Sequence, residues 1–329
     1  MSNINNMNKF KNFVNLAENF DISSLKIAII YGGEWEESEI SKMSANGVYS
    51  TVKSDVKEVK MINCDANLIE NLKNFKPNVV FNAMHGTFGE DGKLPVILDF
   101  LQIPYTHSGY YSSFIGMQKD LSRKIFEDNN IPIAKGISMS KQNIIDEKYV
   151  NLFDQWKAKK LVIKPNNSGS SVGVKIVSKE EKPVFNDKFD HLFNNYVIEE
   201  FIDGIEISVP VLMNSALGCL ELLPIDGFYD YKNKYTNGKT KHVYPAQIPN
   251  ELYQKALEYA EIAHKSLKCK TVSRADFRVD IKKNRLALLE INTHPGFTEF
   301  SITNDVAARE GIAYKNLVKL LIKDASFEK

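Results

Sequence analysis

Three oxygen-bearing side chains between Val272 and Asn292 have the types and spacing of a divalent-cation site. Val272 to Asp280 alternates as a strand does, so Arg274, Asp276, Arg278 and Asp280 share one face. Ala275, Phe277, Val279 and Ile281 take the other. Lys282-Lys283-Asn284 reads as a turn into a second strand, Leu286 to Ile291. A hairpin centred on Lys283 sets Asp276 opposite Glu290 and Arg274 opposite Asn292, with facing Cβ atoms about 5 Å apart. Two carboxylates that close repel unless a cation lies between them, and Asn292 adds a neutral oxygen on the same face. Hard oxygen donors without His or Cys suit magnesium rather than zinc. The plain alternative is a solvated strand face, but the two strands are otherwise core-like.

A second segment, Lys164 to Gly173, reads KPNNSGSSVG. A lysine ends a strand, and small residues follow before another strand begins. Backbone N–H groups in such a loop can close over phosphate oxygens, and glycine permits close approach. A flexible hairpin tip would read the same way. Gly238-Lys239-Thr240 copies the end of a nucleotide-binding loop, but Asn233 stands where that loop needs glycine.

Elements must hold these segments in place. Lys26 to Tyr31 and Asn78 to Met84 are short apolar runs ending in glycine-bearing turns, with helical patterns at Ala45 to Val52 and Leu68 to Phe75. Alternating strand and helix predict a parallel α/β unit, whose ligands sit at the carboxyl ends of the strands. A helix over Gln118 to Asp128 leads to shorter strands at Leu161 to Lys164, Val174 to Ser178, Tyr196 to Glu200 and Glu206 to Met213, an α+β insert with an antiparallel sheet. Helices at Glu251 to Leu267 and Tyr314 to Asp324 flank the metal hairpin. Phe10, Phe13, Val14 and Ala17 have helical spacing, which predicts a short docked amphipathic helix.

Composition sets the outer bounds. The chain has 329 residues, 43% apolar and 25% charged, enough for two or three compact units. Its 42 basic and 41 acidic residues give no support to nucleic-acid or membrane-surface binding. Cys64, Cys219 and Cys269 are far apart and match no zinc spacing, which suits reduced thiols in a reducing compartment. No stretch reads as a secretory signal or membrane span.

The motifs together resemble the D-alanine–D-alanine ligases of the ATP-grasp superfamily. They run in family order: GGEWEESEIS at Gly32 to Ser41, HGTFGEDG at His85 to Gly92, IPYTHSG at Ile103 to Gly109 and KPNNSGSSVG at Lys164 to Gly173. FYDYKNKY at Phe228 to Tyr235, SRADF at Ser273 to Phe277 and EINTHPGFTEFS at Glu290 to Ser301 follow. The resemblance starts near Lys26 and implies a three-domain architecture, with ATP between the central and C-terminal sheets. The expected division is an extension over 1–24, an α/β substrate domain over 25–116, a central domain over 117–207 and a catalytic domain over 208–329.

The resemblance also implies roles. Asp276, Glu290 and Asn292 would hold two magnesium ions, with manganese able to substitute. Lys119 and Lys164 would grip the α- and β-phosphates and Lys234 the γ-phosphate. Glu199, Glu200, Phe201, Ile202 and Glu206 would form the adenine and ribose site, although plain solvated charge would also account for Glu199 and Glu206. Glu37 would take the ammonium of the first D-alanine, connected to Ser170 and Tyr235. Arg274 and the Gly296 N–H would face the tetrahedral oxyanion, and Ser301 the carboxylate of the second D-alanine. His85 and Glu90 would line the same cleft, and Gly227 to Pro245 would cover it. Gln118, His294, Phe297, Glu299 and Phe300 depart from commoner family residues, the last four near the second substrate. A D-alanine–D-lactate ligase, or another ATP-grasp carboxylate–amine ligase, is the competing reading; Tyr235, Glu37 and the HGTFGEDG loop favour D-alanine. A nucleotide-binding regulator without turnover would not need Arg274. The resemblance implies a cytoplasmic homodimer serving peptidoglycan synthesis.

Overall fold

The structure, a computed structural model, describes residues 10–33, 37–169, 171–186, 190–224 and 240–327. After helix α1 (Lys11–Glu18) come β1 (Lys26–Tyr31), α2 (Ser38–Val52), β2 (Glu58–Asn63), α3 (Leu68–Phe75) and β3 (Val79–Asn82). These strands form a parallel sheet in the order β2-β1-β3. The central strand, KIAIIY, is apolar on both faces because helices cover both, as a parallel sheet requires. Edge strand β2, with its polar alternation, had no counterpart in the apolar runs of the sequence.

Helices α4 (Lys93–Phe100), α5 (Tyr110–Met117) and α6 (Lys119–Asp128) lead into β4 (Gly136–Ser140), α7 (Lys141–Ile145), α8 (Asn151–Trp156), β5 (Lys160–Pro165), β6 (Lys175–Ser178) and β7 (Asn195–Glu200). The second sheet, β4-β7-β5-β6, is antiparallel throughout. KPNNSGSSVG therefore joins two adjacent antiparallel strands, β5 and β6, as expected.

The third sheet contains β8 (Ile205–Leu212), β9 (Ser215–Ala216), β10 (Leu220–Pro224), β11 (Thr240–Val243), β12 (Val272–Asp280) and β13 (Arg285–Asn292), in the order β11-β10-β8-β12-β13 with β9 on β8. Helix α9 (Asn250–Ser266) packs on it, while α10 (Ile302–Arg309) and α11 (Tyr314–Lys323) close the chain. One parallel and two antiparallel sheets agree with the expected fold class. The expected boundary between residues 207 and 208 falls inside β8, which pairs with β12 from Ile205 onward. The chain instead passes between sheets at Asp203-Gly204.

The first and third sheets share a core. Val48, Phe81, Phe297, Val306, Leu317 and Leu321 belong to one buried cluster, as do Phe10 and Ala17 from the N-terminal segment. The expected short helix is thus docked. The tail is tied back as well, with Tyr105 donating its N–H to the Ser326 carbonyl at 3.0 Å.

Candidate active site

The hairpin holds the arrangement expected at its far end. Asp276 pairs with Glu290 and Arg274 with Asn292. Nearer the turn the register differs by one, since Asp280 pairs with Arg285 and Phe277 with Leu288. Leu289 is the extra residue, and this bulge returns Glu290 to the face of Asp276. Asp276 is 5% exposed. It accepts from Ser208 Oγ at 2.5 Å, Arg274 Nε at 2.9 Å and Arg274 Nη2 at 2.8 Å. Glu290 lies 3.4 Å from Lys119 Nζ. Asn292 Oδ1 accepts the His294 N–H at 2.8 Å.

Among the described residues no group of three or more His, Cys, Asp or Glu side chains is arranged to hold a metal. The donor set at the hairpin is two carboxylates and one amide oxygen, which fits a hard divalent cation. Arg274 and Lys119 carry the positive charge beside those carboxylates.

The loop from Lys164 to Gly173 meets the hairpin through Lys119 at the start of α6. Its ammonium donates to the Ser168 carbonyl at 2.5 Å while facing Glu290. Burial pushes this lysine below its usual pKa range, against the pull of Glu290. Lys164, at the end of β5, reaches Glu199 Oε2 at 2.7 Å. Glu199 is 3% exposed and Glu206 8%, so neither is a solvated charge. Arg123 Nη1 meets the other Glu199 oxygen at 2.5 Å. Burial opposes ionisation of Glu200, but the Arg285 guanidinium and the Lys135 N–H outweigh it and hold that carboxyl below its usual range. Phe201 carries Arg278 at 5.5 Å and Lys160 at 5.8 Å from its ring centre. Arg278 also reaches Glu206 at 3.6 Å and the Ile202 carbonyl at 3.3 Å. Lys164, Glu199, Glu200, Phe201, Ile202, Glu206 and Asp276 all line one slot of about 90 Å³.

That slot shares Lys119, Ser168, Gly169 and Glu290 with a cleft of about 960 Å³. His85, Glu90, Arg274, Asn292, Gly296 and Ser301 line the cleft. His85 Nε2 lies 2.9 Å from Ser44 Oγ, and Nδ1 lies 3.4 Å from Glu90 Oε1. Glu37 immediately precedes α2, and its carboxylate packs on Gly86. A Cβ on Gly86 would stand 1.8 Å from Glu37 Oε2, and φ there is +66°. Ser301 precedes α10, and its hydroxyl is buried with no hydrogen-bond partner among the described residues. Ser170, Lys234 and Tyr235, with most of the expected cover, lie outside the described residues.

His294 and Phe297 do not line the cleft, whereas Glu299 and Phe300 do. His294 stacks on His107 with 3.8 Å between centroids, and Phe297 packs on Phe81 at 5.4 Å. Both side chains therefore pack at the junction between the first and third sheets.

Arg123, Ser208 and Arg285 escaped sequence reasoning, and Arg278 was placed on its strand face without a role. For Arg123 a signal existed, because it follows Lys119 by one helical turn on the same face. The others are paired through strands distant in sequence.

Residues 125–323, more than half of the chain, match the family described as D-ala D-ala ligase C-terminus. The D-alanine–D-alanine ligase of Rickettsia typhi (strain ATCC VR-144 / Wilmington) is 42% identical over 303 residues, covering 92% of this chain and 92% of that protein. The one from Wolbachia sp. subsp. Drosophila simulans (strain wRi) is 40% identical over 301 residues, covering 91% and 93%. The crystal structure of D-alanine–D-alanine ligase from Bacillus anthracis complexed with ATP superposes with a TM-score of 0.75 at 27% identity, over 92% of this chain and 97% of that one. Identity of this extent, running nearly end to end in both partners, goes beyond a shared fold, and the chain belongs to the D-alanine–D-alanine ligase family.

Proposed function

We propose that this protein joins two D-alanines into D-alanyl-D-alanine, consuming ATP and passing through a D-alanyl phosphate, as a step toward peptidoglycan. The observation that carries the reading is the hairpin register, which sets Asp276 across from Glu290 and Arg274 across from Asn292. Its floor borders both the slot and the cleft.

A carboxylate is a poor acyl donor until it is phosphorylated, and phosphoryl transfer depends on positioning and charge neutralisation. Asp276, Glu290 and Asn292 would hold the magnesium ions (manganese able to substitute), which when bound supply positive charge to the phosphate oxygens. Glu199, Glu200, Phe201, Ile202 and Glu206 hold the nucleoside. Lys119 and Lys164 hold the α- and β-phosphates, with Lys234 at the γ-phosphate. Glu37, with Ser170 and Tyr235, binds the ammonium of the first D-alanine. Its carboxylate takes the γ-phosphoryl group, and ADP forms. The amine of the second D-alanine then attacks the acyl carbon and phosphate leaves. Arg274 and the Gly296 N–H stabilise the oxyanion formed in that attack. Ser301 holds the second carboxylate, and His85 and Glu90 wall the cleft. The segment Gly227 to Pro245 excludes water, protecting the acyl phosphate from hydrolysis.

We divide the chain into an extension to residue 24, a substrate domain to 116, a central domain to the Asp203-Gly204 turn and a catalytic domain beyond. No helix among the described residues is long and apolar enough to cross a membrane, and we place the protein in the cytoplasm. A second copy would cover the apolar face of α4 and α5, where Phe100 is 83% exposed beside Val96, Tyr110 and Phe114.

The deciding experiment measures ADP release with Mg-ATP and D-alanine, with L-alanine and with D-alanine plus D-lactate in parallel. ADP from D-alanine alone, matched by dipeptide, is the expected result. ATP binding without turnover of D-alanine would overturn the substrate assignment.

A further inference from the structure

Glu199, in the wall of the slot, is gripped from both sides. Arg123 Nη1 meets Oε1 at 2.5 Å and Lys164 Nζ meets Oε2 at 2.7 Å. Arg123 Nη2 also donates to the Ala134 carbonyl at 2.7 Å. Ala134, Lys164 and Glu199 line the slot, but Arg123 does not. Space for the guanidinium is built into β4. Gly136 pairs with Glu199 across the sheet, and a Cβ there would lie 2.6 Å from Arg123 Nη2 and 3.0 Å from Glu199 Cγ.

We propose that Arg123, acting through Glu199, is a positioning residue that sets the nucleobase selectivity of the slot, favouring a base with an exocyclic amino group over one with a carbonyl at the same place. The inference rests on the reading that ATP occupies this slot. In its two ion pairs Glu199 is a carboxylate, which accepts hydrogen bonds and donates none. A carboxylate has about four acceptor sites, so two cations leave some for a ligand. Adenine offers N–H donors to such a group. Hypoxanthine presents a carbonyl, setting oxygen against oxygen inside a buried site. The fork on Ala134 and Glu199 fixes where those acceptors point, which the single ammonium of Lys164, a point charge without a planar fork, does not do.

The test compares kcat/KM for ATP and inosine triphosphate at saturating D-alanine, alongside ADP and inosine diphosphate binding by calorimetry. Variants are Arg123→Met, Arg123→Lys and Gly136→Ala, which crowds the guanidinium. Thermal unfolding is followed for each. The unaltered protein is expected to favour the adenine nucleotide, and Arg123→Met to narrow that preference by about tenfold, chiefly through the KM for ATP. Gly136→Ala narrows it in the same direction, and Arg123→Lys restores part of it. A preference unchanged in Arg123→Met and Gly136→Ala, with both nucleotides weakened in parallel, would overturn the inference. No adenine-nucleotide binding by the unaltered protein would instead sink the ATP reading itself.

Discussion

Asp276 and Glu290 face each other only because Leu289, between Glu290 and Leu288, has no partner on β12. With Asp280 closing the turn against Arg285, an unbroken ladder would place Leu289 opposite Asp276 and turn Glu290 toward the other face. The bulge is therefore part of the site. If the facing carboxylates act as the charge-bearing centre of phosphoryl transfer, Glu290→Gln should lower ADP formation about a hundredfold or more, the scale for losing one preorganised electrostatic group. Glu290 is partly exposed, and glutamine keeps its shape and an acceptor for Lys119, so the melting temperature should barely move. Full activity in that variant would refute the assignment.

Ser208 tests how Asp276 is held. Its buried hydroxyl donates to Oδ1 at 2.5 Å from the adjacent strand. Ser208→Ala should cost about 1–3 kcal/mol of stability through the lost donor to a buried carboxylate. It should also weaken manganese binding, read by paramagnetic relaxation with ADP present, by about tenfold. Ser208→Thr should recover most of both. Unchanged manganese affinity in the alanine variant would separate Ser208 from the cation site.

The sequence carried this site unevenly, for physical reasons. The carboxylate pair was legible because strand alternation fixes which residues share a face. The bulge was not, because its signal is a pairing count; the expected register was off by one near Asp280 yet correct at Asp276. The loop from Lys164 to Gly173 was legible as a strand-to-strand connection from Lys164 and the small residues after it. Arg123 and Ser208 were not, since each acts through a partner on another strand, Glu199 or Asp276, that only folding brings near. In the fold, long amphipathic helices and apolar strands such as β1 announced themselves. Edge strand β2 did not, because it alternates polar and apolar residues with no apolar run.

Packed against β12, His264 on α9 should make stability depend on pH. Burial, with smaller contributions from Lys265 and Lys270, lowers its pKa from 6.5 to about 4. The unfolded chain takes up this proton first as pH falls. The folded protein is thus at full strength above pH 6.5 and loses stability as pH drops toward 4, by about 3 kcal/mol from this group. Urea unfolding across that range should show the loss, and His264→Asn should flatten the slope. Its ring Nδ1 lies 2.7 Å from Ser273 Oγ, next to Arg274, so activity should fall in parallel with folding and not before it.

Ser301 separates binding from stability most cleanly. Its buried hydroxyl has no partner among the described residues, so Ser301→Ala removes no protein hydrogen bond and relieves an unsatisfied group. Stability should hold or rise slightly. If the hydroxyl is kept for the carboxylate of the second D-alanine, the KM for that substrate should rise about tenfold, the scale of one hydrogen bond to a charged group. The KM for ATP should stay unchanged, because Ser301 lines the cleft and not the nucleotide slot. Initial rates over a wide D-alanine range resolve the two substrate sites. A lowered melting temperature with an unaltered second KM would make Ser301 a residue of the fold alone.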